Sequence, residues 1–295
     1  MYFNEDTLVF SDGEYLKVNE LTVDPFNQTL HYGNGAFEGI RSYDTPDGTR
    51  IFKAKEHYER LKYSCEKMHI PFDYSVDQLE QITYSLLSKN NLKDAYIRPI
   101  VFLEPNMSLT KTDKSHLMIM VWEWGKYLGD KQLRVMTSSF QRPNPKSCFV
   151  DAKVTGHYTN SILATQEAKD KGFDEALLLD MNENVAEGPG ANFFFEKNGE
   201  LFTCPAGNIL PGITRQTVFE IAHELDVKVH EKWFGINEVY KADAAFFCGT
   251  AAEVAAIKSL DEYVFPLSWE DSVSELIQRK YKLRVSTNEF KQMLI

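Results

Sequence analysis

VDAKVTGHYTN, residues 150–160, sets one lysine, Lys153, inside a run that reads as the end of a buried strand. Gly156 follows, and from Asn160 the spacing becomes helical, so Lys153 is expected at or just before a strand-to-helix turn, where chemistry tends to sit. On its own such a lysine snorkels its amine to water. If it were desolvated, the ammonium would be disfavoured and the amine could form a Schiff base with a carbonyl. The remainder of the chain decides between these readings.

Working outward, the pattern is mixed and falls into two unequal halves. FEGIRSY and TRIF flank the turn signal TPDG and predict a hairpin. Helical spacing runs from Lys55 to Met68, and Ser75 with Gln78 forms a capping box for a second helix to about Lys89. AYIRPIVFLE and HLMIMVWEW then read as strands. These elements predict an α+β unit over residues 1–124. The polar, Gly-containing segment 125–132 is expected to link it to a larger domain over 133–295. In that domain RVMTSSF, the Lys153 strand end, EALLLD, ANFFFEK with ELFT across Asn198-Gly199, KVHEKWF and DAAFFCG read as strands. Helices are expected at about 160–171, 213–225 and 270–282.

Composition excludes several functions. With 295 residues, 43% hydrophobic and 25% charged, the chain can bury a real core. No apolar run approaches the roughly 18 residues a membrane helix needs, and no basic flank joins an apolar stretch near the first residue, so a cytoplasmic protein is expected. A formal charge of −11 argues against a nucleic-acid surface. Any anionic ligand must be held by local positive groups. Cys65, Cys148, Cys204 and Cys248 form no CxxC pair and read as single reduced thiols. The histidines show no HExxH, so no metal is expected. The glycines of GNGAFEG (33–39) and EGPGAN (187–192) match neither GxGxxG nor a P-loop and read as tight turns needing positive φ.

Four charged or dipolar features remain. Besides Lys153 there are Glu187, ahead of a Gly-Pro-Gly turn, Arg60 on the first long helix, and LPGITR (210–215), which opens a helix with the N–H groups of Ile213 and Thr214 as donors. A lysine, an acid and an anion site at a helix N-terminus suit pyridoxal 5'-phosphate (PLP).

HYGNGAFEGIRSY, YIRP, WEWGKYLG, DAKVTGHY, EGPGANFFF, LPGITR and CGTAAE occur in the order and approximate spacing of the class IV, fold-type IV PLP aminotransferases. The chain most resembles the branched-chain amino acid aminotransferases, from about Ser11 to Ser259. The resemblance implies a two-domain α+β enzyme with a small sheet-plus-helices domain and a larger barrel-like one. It implies that Lys153 carries PLP as a Schiff base and shuttles the substrate proton, that Glu187 pairs with the pyridine nitrogen, and that Tyr158 donates to the 3'-oxygen. Arg60, the Ile213 and Thr214 N–H groups and Thr250 would hold the phosphate. Tyr96 with the N–H groups of Thr250 and Ala251 would take the α-carboxylate, and Arg98 the distal carboxylate of glutamate. Tyr32, Phe37, Trp124 and Tyr127 would wall the apolar side chain.

The implied substrates are L-leucine, isoleucine and valine with 2-oxoglutarate, in a homodimer or higher homo-oligomer. The same fold also serves D-amino acid and (R)-amine transaminases and aminodeoxychorismate lyases, and a scaffold retained only for binding is the third alternative. The chain departs from the bacterial pattern at Thr155-Gly156-His157, where Gly-Gly-Asn is usual, and at Ala191, where an acid is usual.

Overall fold

The computed structural model describes residues 2–287 apart from Lys126, Tyr127 and Asp130. The expected roles of Tyr127 and of much of the 125–132 link therefore lie outside the described residues. The chain divides into two compact units, one built from residues 2–125, 152–157 and 286–287, the other from 128–129, 131–151 and 158–285.

The first unit opens with the hairpin β1 (Leu8–Ser11) and β2 (Glu14–Lys17), then α1 (Gln28–Tyr32), β3 (Ala36–Phe37), β4 (Ile40–Thr45) and β5 (Gly48–Ile51). Helices α2 (Ala54–Lys67) and α3 (Val76–Lys89) follow, and then the long strands β6 (Ala95–Leu103) and β7 (Ser115–Trp122). All the strands join one antiparallel sheet in the order β2-β1-β7-β6-β4-β5, with β3 also paired to β6. The Ser75–Gln78 capping box forms in both directions.

Strand β6 shows how the two-residue period sorts the unit. Ile97, Val101 and Leu103 turn into a core shared with Tyr58 and Leu61 of α2 and Leu79 and Leu86 of α3. Tyr96 and Arg98 therefore face the other way.

In the second unit β8 (Leu133–Gln141) leads through a loop to α4 (Tyr158–Asp170), β9 (Glu175–Leu179), β10 (Val185–Glu187), β11 (Asn192–Lys197) and β12 (Glu200–Thr203). Then come α5 (Ile213–Glu224), β13 (Val229–Glu231), α6 (Ile236–Val239), β14 (Ala244–Gly249), β15 (Glu253–Leu260), β16 (Tyr263–Val264) and α7 (Val273–Ser286). The order β10-β9-β8-β15-β14-β11 closes on itself through the β10–β11 pair. The result is a six-stranded mixed barrel, parallel at β8–β9 and β8–β15 and antiparallel elsewhere. Leu177, Val185, Phe193, Phe247 and Ile257 are among the side chains of its main core, while α4 packs Ala164 and Ala168 on Met136 and Leu178.

Four expectations need correction. The Lys153 segment is not a strand end: β8 stops at Gln141, ahead of Pro143 and Pro145, and the segment makes a single bridge, Val154 to Ala36. KVHEKWF narrows to Val229–Glu231, and the helix expected from 160 begins at Tyr158. Among the glycines of the two clusters, only Gly33 has a positive φ, +69°. Gly39 instead lies where Tyr96 crowds the backbone: a β-carbon there would stand 2.1 Å from the Tyr96 hydroxyl.

Candidate active site

In the first unit the chain breaks between β3 and β4 at Glu38 and Gly39. The Glu38 carboxylate is fully buried and receives Arg60 in a two-pronged grip, Nε to Oε1 at 2.6 Å and Nη2 to Oε2 at 2.9 Å. His57 Nδ1 lies 2.8 Å from Oε2. Burial alone would raise the Glu38 pKa, but Arg60 and His57 outweigh it and hold the carboxyl well below the usual range. Burial pushes the His57 pKa down despite Glu38, so the imidazole stays neutral and Nδ1–H donates. The orientation of Arg60 is thus set by a buried acid, which it shares with His57 one helical turn earlier on α2.

Lys153 is stitched to the same elements. Its N–H donates to Ser64 Oγ at 2.9 Å, and Ser64 in turn donates to the Arg60 carbonyl at 2.8 Å. The Lys153 carbonyl accepts from Phe37 N–H at 3.1 Å, and Thr155 N–H donates to the Gly35 carbonyl at 2.8 Å. The lysine amine lies 4.8 Å from the centre of the Phe37 ring, and the Arg98 guanidinium 4.7 Å from the same ring. Arg98 Nη2 donates to the Tyr96 hydroxyl at 3.0 Å, while its Nε is buried and makes no hydrogen bond among the described residues. Trp124 meets Tyr96 edge-on at 4.6 Å, and Arg41 fixes the Trp124 carbonyl at 2.8 Å. Lys153, Phe37, Tyr96, Arg98 and Trp124 are therefore neighbours. Tyr32 is not drawn into this group: it is 46% exposed and its hydroxyl donates to the Met107 carbonyl.

In the second unit Glu187, Asn192 and Cys248 stand in register across β10, β11 and β14, at one rim of the barrel. Glu187 is 4% exposed. Arg142 Nε lies 2.9 Å from its Oε1 as an ion pair, Leu210 N–H donates to the same oxygen at 3.1 Å, and Asn192 Nδ2 donates to Oε2 at 2.9 Å. Helix α5 starts just beyond, with Gly212 as its N-cap and no side chain capping it, so Ile213 and Thr214 present backbone donors at the positive end of the helix. Thr250 and Ala251 follow β14 directly, beside the 188–191 turn: Gly249 approaches Gly190 and Ala191. Ser161 Oγ bonds the Pro189 carbonyl at 2.6 Å and ties the first turns of α4, which begins with Tyr158, to that same turn.

Residues 35–260 match the protein family described as Amino-transferase class IV. The chain belongs to the class IV aminotransferases. It is 41% identical over 284 residues to a branched-chain-amino-acid aminotransferase of Pseudomonas aeruginosa, covering 94% of this chain and 92% of that one. It is similar to the branched-chain aminotransferase of Thermoproteus uzoniensis solved with norvaline, with a TM-score of 0.91, 35% identity and coverage of 95% and 94%. It is also similar to a branched-chain amino acid aminotransferase from T.th. complexed with N-(5'-phosphopyridoxyl)-L-glutamate, with a TM-score of 0.90, 33% identity and coverage of 96% and 95%.

The second unit offers a buried carboxylate and an uncapped helix N-terminus, and the first a lysine amine and an arginine whose orientation is set; these are donors of the kinds a phosphorylated pyridine aldehyde needs. Sequence reasoning missed Glu38, His57, Arg142 and Asn192. An acid inside the apolar run GAFEGI and an arginine ahead of two prolines were the available signals, since a charge in a buried stretch implies a partner. Among the described residues of this aminotransferase, no helix is long and apolar enough to cross a membrane.

Proposed function

We propose that the chain transfers the amino group of L-leucine, isoleucine or valine to 2-oxoglutarate, yielding the branched 2-oxo acid and L-glutamate. The observation that carries this reading is Arg98. It is a cation set against the Phe37 and Tyr96 rings, with a buried Nε left over for a carboxylate. Such a surface takes an apolar side chain against the rings and a distal carboxylate at the guanidinium, which one site must do in alternate half-reactions. The relatives' names agree with it.

Lys153 would hold the cofactor through its amine and move a proton at the substrate Cα, general acid-base work of about 100- to 10,000-fold. PLP, when bound, supplies an electron sink for the carbanion formed at that carbon. Glu187 holds a proton at the pyridine nitrogen, and Tyr158 donates to the 3'-oxygen. Arg60, the Ile213 and Thr214 N–H groups and Thr250 take the phosphate, and Glu38 keeps Arg60 aimed. Tyr96 and the N–H groups of Thr250 and Ala251 orient the α-carboxylate, so that the Cα–H bond meets Lys153. Phe37 and Trp124 form the apolar wall.

Rates with a panel of amino donors and 2-oxoglutarate test the reading. Leucine, isoleucine and valine should all react, and D-alanine and (R)-amines should be inert. The reverse pattern would move the chain to the D-amino acid or (R)-amine group.

The partner is a second copy of this chain. Phe26, Leu30, Tyr32, Met107 and Leu109 are all exposed, and Asn106 N–H to Phe26 O with Tyr32 to Met107 O gathers them at α1 and the loop after β6. An exposed apolar patch of this kind argues for a covering surface.

A further inference from the structure

Glu187 is locked to the start of α5 through Asn192. The Asn192 amide uses both of its N–H bonds, one to Glu187 Oε2 and one to the Leu210 carbonyl, each at 2.9 Å. Leu210 N–H returns to Glu187 Oε1 at 3.1 Å, so carboxylate, amide and peptide close a ring of hydrogen bonds. The third corner leads directly into the helix: Gly212, two residues on, is the N-cap of α5. It packs so closely on Asn192 that a β-carbon at Gly212 would fall 1.9 Å from Oδ1. Asn192 is itself 4% exposed and stands in register with Glu187 on the adjacent strand β10.

We propose that Asn192 is a positioning residue that sets the distance between the Glu187 carboxylate and the first N–H groups of α5. An acid for a pyridine nitrogen and a cradle for a phosphate then form one rigid gauge matched to a phosphorylated pyridine. This rests on the cofactor assignment made above. The physical need is plain. Glu187 and the helix terminus meet opposite ends of one stiff ligand, and an error of about 1 Å in such a span is costly. Arg142 fixes the acid from the other side but touches neither Leu210 nor Gly212 through any described hydrogen bond, so it orients without linking.

The test is to compare wild type, Asn192→Ala, Glu187→Gln and Ser274→Ala. Two properties are read: the affinity ratio of pyridoxal 5'-phosphate to pyridoxal, and the nitrogen-15 signal of the bound, labelled pyridine. Asn192→Ala should lower the ratio by about tenfold or more and move the nitrogen signal toward that of Glu187→Gln. Inorganic phosphate should also compete less well for cofactor loading in this variant. Ser274→Ala, which removes a buried hydrogen bond to Glu196 at the start of α7, should lower the melting temperature and leave both properties unchanged. If Asn192→Ala does not fold, Asn192→Asp, of the same volume but without the two donations, carries the same two readouts. An unchanged ratio with a shifted nitrogen signal would mean that Asn192 serves Glu187 alone, and the proposal falls. A ratio and signal both at the wild-type values overturn it as well. A wild-type protein that does not bind the cofactor removes the cofactor assignment itself, and is recognised before any variant is made.

Discussion

The hydroxyl of Tyr96 occupies the space a side chain at Gly39 would need, with only 2.1 Å between that oxygen and an ideal β-carbon. Gly39 therefore decides where Tyr96 points, and through the 3.0 Å bond to Arg98 it decides where that guanidinium points too. Gly39→Ala should push the ring aside and lower kcat/KM for leucine and glutamate together, by about tenfold or more. Combined with Tyr96→Phe it should cost little beyond the single change, because both act on one hydroxyl. Additive losses in the double variant would place the effect of Gly39 elsewhere.

Lys153→Ala should end covalent capture of the cofactor, because the amine that attacks is gone. Borohydride reduction followed by peptide mass analysis reads this directly. Wild type should carry the reduced cofactor on the peptide spanning residue 153, and the variant on none. Labelling of another lysine in wild type would show that the amine was misassigned.

Arg98→Leu should separate the two half-reactions. Glutamate would lose a charge-assisted partner for its distal carboxylate, a loss of at least about tenfold in kcat/KM, while leucine offers that guanidinium nothing to bind. Single-turnover rates with each amino acid decide it. Equal losses would mean that Arg98 acts through Tyr96 on the shared α-carboxylate.

Strand β6 carried its structure openly in its residues. AYIRPIVFLE reads as a strand, and the structure has β6 from Ala95 to Leu103. The Ser75–Gln78 box and the Asn198-Gly199 turn were equally legible, and both turn residues do take positive φ, 52° and 75°. Each of these is a local rule obeyed locally. Lys153 was found by its motif, and its strand reading failed because Pro143 and Pro145 end β8 early and Phe37, far back in the chain, supplies the backbone partner. Glu38 and Asn192 carried no periodic signal: Glu38 is defined by Arg60 on the next helix, and Asn192 by side-chain bonds to Glu187 and Leu210 across a turn.

Acid should unfold the protein in two stages. Burial lowers the His57 pKa, so its neutral form favours the fold above the unfolded value of about 6.5, and that advantage fades as pH falls. The Glu38 pKa is depressed by Arg60 and His57 against the effect of burial, so its contribution is complete above the unfolded value of about 4.3 and is lost as pH falls toward the folded one. Both slopes have the same sign. Melting temperature should decline below about pH 6.5 and more steeply below about 4.3. Glu38→Gln should flatten the second stage and cost about 3–5 kcal/mol near neutrality by breaking the buried ion pair with Arg60. A wild-type melting temperature that is level across this range would refute the assignment.

Leu109 is 86% exposed at the loop after β6. If a second copy covers that patch, Leu109→Glu should shift sedimentation from dimer or larger toward monomer at about micromolar concentration. An unchanged sedimentation coefficient would place the contact on another face.

Closure of the barrel also sets a timetable for synthesis. Leu133 pairs with Ile257, so β8 has no parallel neighbour on that side until β15 has been made. At about 5–20 residues per second the ribosome takes on the order of ten seconds to cover that interval. For that time the apolar residues Leu133 and Val135, buried in the finished protein, hang on a nascent chain with an unmatched strand border. Release before residue 260 would leave the cylinder permanently open, so products truncated there should be prone to clump, whereas a chain that includes β15 has sealed that seam.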